Sequence, residues 1–130
     1  MQTRDQIYAA DAYKRVSRVK KEDCTSYGSM AHKLPILIRK AGLAQALSFV
    51  ESKSKKTSAY EQLLKDIAGT IGKKDVLLDR ARNADLSEYM LLTKQVMDAL
   101  LWYKRFAQSV LDIDASDATL EEGAANEQSS

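Results

Sequence analysis

Tyr89, Leu92, Val96, Ala99, Tyr103, Phe106 and Val110 follow one another at steps of three and four without a break. Apolar residues at that spacing fall on one face of an α-helix, and here the seam lasts three heptads. Met90, Met97, Leu100, Ala107 and Leu111 widen it, while Lys94, Asp98, Arg105, Ser109 and Asp112 form the opposing polar stripe. Asp85-Leu86-Ser87-Glu88 has capping spacing at its start. The pattern predicts a helix of about 27 residues, roughly 40 Å long, packed on several sides.

The rest of the chain repeats the same period in shorter pieces. Thr3-Arg4-Asp5-Gln6 has capping-box spacing, and Tyr8, Ala9, Ala12, Val16 and Val19 then share a face, predicting a helix that ends near Glu22. Lys14, Arg18 and Lys21 fall on its opposite face. Ser29 is a candidate N-cap for a second helix, with Met30, Leu34, Leu37, Ile38 and Ala41 facing inward. His32 and Arg39 fall opposite that face, and Lys33 and Lys40 flank it. Pro35 predicts a kink near Ala31 to Pro35, unless the helix starts near Leu34 and takes the proline in its first turn. Gly42 predicts a break before a third helix carrying Leu43, Ala46, Leu47 and Val50.

Glu51 to Thr57, with three lysines, reads as a polar linker. Ser58-Ala59-Tyr60-Glu61 is a second capping-box match, followed by Leu63, Leu64, Ile67 and Ile71 at helical spacing. A short helix is expected over 75–82. The fold class is therefore all-α: a compact bundle of five to six helices around a long C-terminal helix, with one domain over 1–113. Residues 114 to 130 are poor in large apolar side chains and read as an acidic disordered tail.

Composition adds an asymmetry. The 130 residues carry a net charge of only +2, but six acids and no Lys or Arg lie from Asp112 onward. The first 111 residues therefore hold twenty basic and twelve acidic side chains, or +8, a body that attracts polyanions. A lone cysteine, Cys24, allows no intrachain disulfide and fits a reducing compartment. The opening MQTRDQIY lacks the apolar core of a signal peptide, and no apolar run approaches a membrane span. A cytoplasmic location is expected.

Catalytic chemistry finds little to work with. His32 and Cys24 make neither a metal site, which usually needs four ligands, nor a nucleophile pair. Asp66, Asp75, Asp79 and Asp85 read as carboxylates on solvated helix faces, and no phosphate loop, GxSxG or HExxH occurs. No catalytic residue, metal or cofactor is expected. The basic groups Lys14, Arg18, Lys21, His32, Lys33, Arg39 and Lys40 are the candidate site: two positive helix faces, taken as adjacent, for the backbone of a nucleic acid. Charge alone leaves RNA, DNA and an acidic protein open. Trp102, between seam and polar stripe, could cover the core edge, anchor a protein interface or stack a base.

Several segments together carry a resemblance. Tyr27-Gly28-Ser29, Lys33-Leu34-Pro35, Ile38-Arg39 and Gly42-Leu43-Ala44-Gln45-Ala46-Leu47 resemble the signature of the small α-helical subunit of the type III-B CRISPR effector, the Cmr complex. Gln6-X-Tyr8-Ala9, Ala12-Tyr13 and Trp102 to Phe106 are similar too, whereas Lys40-Ala41 before Gly42 departs from the usual pattern. The resemblance implies a non-catalytic bundle. Copies of it would stack as a minor filament along the backbone subunits and line the groove where guide RNA and target RNA pair. Cleavage would belong to the backbone and large subunits. Gln45 and Trp102 are the candidate interface residues toward other Cmr subunits or copies of the chain itself. The rival readings are a free-standing helical nucleic-acid-binding protein, an adaptor for an acidic protein and, last, an enzyme.

Overall fold

The computed structural model describes residues 1–116 of the chain. Among the described residues six helices follow in order: α1 (Arg4–Val16), α2 (Cys24–Ala41), α3 (Leu43–Ser54), α4 (Ser58–Thr70), α5 (Leu77–Asn83) and α6 (Leu86–Ser109). None of them is long and apolar enough to cross a membrane. Of the acidic tail expected over 114–130, all but the first three positions lie outside the described residues.

The caps at two of the expected starts form. Thr3 accepts a bond from the Gln6 N–H while the Gln6 side chain returns to the Thr3 N–H, closing a capping box on α1. Asp85 accepts from the Glu88 N–H at the head of α6. The box expected at Ser58 does not form. Thr57 holds the N-cap position there without a side-chain bond.

Helix α6 is the central element, packed chiefly against α1 and α2. Leu92, Val96, Ala99, Leu100, Tyr103 and Ala107 are buried, as the seam requires. Met90, expected to widen it, is 64% exposed, and Val110 lies past the helix end at 38%. The neighbouring helices cover the other arc of α6 and leave Leu86 and Met90 uncovered.

The boundaries of α1 and α2 differ from expectation. Helix α1 stops at Val16, not near Glu22. Bonds from Arg18 N–H to the Arg15 carbonyl and from Val19 N–H to the Val16 carbonyl tighten the chain, folding Val19 against the core. A 3-10 turn at Lys21–Asp23 then leads into α2, whose first residue is Cys24. Ser29 is therefore no cap but a buried mid-helix residue. The cause is Tyr27, fully buried with its hydroxyl donating to the Asp66 carboxylate at 2.7 Å. Burying an aromatic ring outweighs the roughly 1 kcal/mol cost of Gly28 inside a helix. The helix also runs on through Pro35, and it breaks at Gly42, whose φ of +88° suits glycine alone. Beyond it, the Tyr89 hydroxyl accepts the Ala44 N–H and so caps α3 from α6.

A polar chain threads the core. The Tyr103 hydroxyl donates to Thr70 Oγ1 at 2.6 Å, and Thr70 donates to Asp11 at 2.6 Å. Asp11 accepts from Arg15 Nε at 2.7 Å, and Arg15 stands 3.7 Å from Asp66. Asp66 is thus not a solvated carboxylate: it is 4% exposed, held by Tyr27, Gln62 and Arg15. Burial and the Asp66 charge push the Tyr27 phenol far up, and burial does the same to Tyr103.

Asp11 carries the pH consequence. Burial pulls its pKa up, but hydrogen bonds from Thr70 and Arg15 outweigh it and leave the carboxyl below its ordinary value. A depressed folded-state pKa gives stability that is complete above the unfolded pKa of about 3.9 and is lost as pH falls through the folded value. Denaturant midpoints measured from about pH 7 to about pH 2 should therefore fall below about pH 4, and Asp11→Asn should flatten that fall. A variant with the parent's acid limb would remove Asp11 from the linkage.

Candidate nucleic-acid interface

The predicted basic residues fall into two patches joined by a third element. Lys14 is exposed in the last turn of α1. Arg18 and Lys21 lie beyond that helix's end, so the three do not line one helix face as expected. Arg18 instead opens, with Arg15 and Lys20, on a cavity of about 400 Å³ that also touches Ser58, Gln62 and Asp66.

On α2 the placement is mixed. Arg39 and Lys40 are exposed in its last turn, where cations also favour the helix dipole. Lys33 is half-buried, and its ammonium reaches the Phe49 ring on α3 at 5.5 Å. His32 does not belong to the outer side. It is 5% exposed, and its Nε2 lies 2.8 Å from the Ile113 carbonyl. A carbonyl only accepts, so Nε2 carries the proton. The chain after α6 folds back over this part of α2, and that covers the histidine. Gly28 makes room for it: a Cβ there would stand 2.8 Å from Ile113 Cβ.

The segment read as a linker connects the patches. Helix α3 continues through Ser54, which places Lys53 one turn after Phe49. Lys55 and Lys56 are exposed in the turn that follows, and Ser58, opening α4, lines the Arg18 cavity. A basic band thus runs from Arg18 and Lys20, through Lys56, Lys55 and Lys53, to Phe49 and Lys33. Sequence reasoning missed Phe49 and Lys53, although Gln45, Phe49 and Lys53 are spaced by four.

Asp23 and Asp66 line the Arg18 cavity, but several other acids are engaged elsewhere. Asp98 pairs with Arg4 and Lys94, Glu88 with Arg80, Glu51 with Arg82 and Glu61 with Lys65. Among the described residues no carboxylate comes within ion-pair distance of Lys14, Arg18, Lys21, Arg39 or Lys40. Exposed cations without an ion pair can exchange small counterions for phosphates.

The candidate interface residues differ in setting. Gln45 is exposed on α3. Trp102 is half-buried, stacked on Phe106 at 5.9 Å, with the Arg105 guanidinium 4.9 Å from its ring. The Phe106 ring in turn meets Tyr13 of α1 edge-on. Trp102 therefore covers an edge of the core between α1 and α6.

Comparison with known proteins gives one consistent result. A family of CRISPR-associated proteins, Cmr5, matches residues 4–110. The Cmr subunit Cmr5 of a CRISPR system in Thermus thermophilus is 44% identical over 115 residues, which is 86% of this chain and 99% of that protein. The crystal structure of a CRISPR-associated Cmr5 family protein, also from Thermus thermophilus, superposes with a TM-score of 0.77 at 43% identity. The match covers 84% of this chain and 98% of that one.

Proposed function

The chain belongs to the Cmr5 family of CRISPR-associated proteins, and on that footing we propose that it is a non-catalytic small subunit of a Cmr effector complex which lines the groove for guide and target RNA. The observation that carries the RNA-facing part is the set of exposed cations, Lys14, Arg18, Lys21, Arg39 and Lys40, that meet no carboxylate among the described residues. Contacts of this kind read charge and shape, not sequence. They suit a subunit that must accept any guide, because base pairing supplies the specificity, as in other RNA-guided effectors.

Assembly into a filament of copies follows from the same reading. A filament needs two different patches in a head-to-tail contact. Exposed apolar side chains of α6, among them Leu86 and Met90, and the Trp102 edge are surfaces that neighbours could cover. Chemistry on RNA is assigned to other subunits. In this chain the buried Asp66, which lines the Arg18 cavity, is held by Tyr27, Gln62 and Arg15. Each copy contributes few phosphate contacts, so the isolated chain binds RNA weakly and the assembled complex binds it well.

Affinity purification of the tagged chain from its native host tests this directly. The expected yield is a ribonucleoprotein holding guide RNA and the backbone subunits. Recovery of the chain alone, or with an acidic protein and no RNA, would overturn the assignment.

A further inference from the structure

Phe49 is 37% exposed on α3, and two ammonium groups reach its ring from different helices: Lys33 Nζ from α2 and Lys53 Nζ from α3, each 5.5 Å from the centroid. Gln45 lies one turn before Phe49 and Lys53 one turn after it, on the same helix face. Ala46 and Val50 of the same helix are buried in the core. An exposed aromatic face with cations around it, and an amide one turn away, has the composition that binds single-stranded nucleic acid. Bases stack on the ring, phosphates meet the cations, and the amide reaches a base edge.

From this juxtaposition we infer that Phe49 is a stacking platform for one unpaired base of the RNA, with Lys33 and Lys53 taking the flanking phosphates and Gln45 reaching the base edge. The inference rests on the RNA-groove reading and adds a point where a base is touched as well as the backbone. A nucleotide inside a helix has both faces covered by its neighbours. The nucleotide on Phe49 is therefore one turned out of the duplex or lying beyond its end. Every base has a π face, so the contact is tolerant of sequence and compatible with any guide. Without RNA the lysines occupy the ring. An arriving base replaces an ammonium there, and Lys53, exposed on a flexible stem, moves to the adjacent phosphate.

The test uses the assembled effector complex and target RNAs carrying 5-iodouridine at successive positions. Irradiation should crosslink Phe49 in at least one register, read by mass spectrometry of the digest. Phe49→Leu keeps an apolar side chain of similar size. It should remove that crosslink and weaken target capture by about tenfold. The slope of log affinity against log salt should stay unchanged, since no phosphate contact is lost. Lys53→Ala should flatten that slope. Unchanged capture by Phe49→Leu, with or without a lower melting temperature, overturns the platform and leaves the ring a packing residue. If the lysine variants still flatten the slope in that case, the groove reading survives. If they do not, it falls as well.

Discussion

Ala99→Asp is expected to unfold most of the protein at room temperature. Ala99 is fully buried at the middle of α6, flanked along the helix by the buried Val96, Leu100 and Tyr103. The polar chain through Thr70 and Asp11 already uses its own donors, so a carboxylate at 99 would have no cation to meet. An unpaired buried charge costs several kcal/mol, and a domain of this size holds only about 5–15 kcal/mol in total. Thermal unfolding followed by circular dichroism should show a lowered or absent transition. Gln108→Asp, on an exposed position of the same helix, should change it by less than about 0.5 kcal/mol. A parental melting temperature for Ala99→Asp would mean that the seam is surface.

The second large effect concerns RNA. Replacing Lys33, Arg39 and Lys40 together by Ala should reduce the salt dependence of target capture by the assembled complex by about 2 log units, at roughly 0.7 per lost phosphate contact. If parent and variant converge near about 1 M salt, the same slope makes the variant roughly fiftyfold weaker at about 0.15 M. The fold should tolerate the change. Arg39 and Lys40 are exposed, and the cation–π contact of Lys33 with Phe49 is of a kind worth about 0.5–1 kcal/mol. Parallel salt titrations of parent and variant complexes decide it: an identical slope would take α2 out of the groove.

The period of the apolar residues made most of the architecture legible. Steps of three and four locate α6 and α1 because only a helix face satisfies them. Thr3 and Asp85 locate their starts because a cap needs an oxygen at that position. Gly42 was legible for a related reason, since few other residues adopt its backbone angles. What the period could not show is which neighbour covers which face. His32 falls on the outer side of α2 by angle, yet a segment far along the chain, at Ile113, folds over it. Asp66 falls among helix acids, yet Tyr27 and Arg15 arrive from two other helices and bury it. Met90 widens the seam by spacing, but it stays exposed, uncovered by the described helices.

The site was legible only in outline for the same reason. A count of charges finds a basic body, and the resemblance points to its use. The band itself depends on α3 running through Ser54 and on Lys33 leaning across to Phe49. Read as a linker, the lysine-rich stretch gave no sign that Lys53 would stand one turn from an aromatic ring.

The return of the chain over Gly28 and His32 decides where anything attached downstream is tethered. Ile113 is pinned to the flank of α2, so the described part of the chain ends beside that helix and not at the tip of α6. Met1 stands fully exposed ahead of the α1 cap. A handle placed there starts from the head of α1, whereas a downstream one follows a stretch already held, at Ile113, against the helix that carries Lys33.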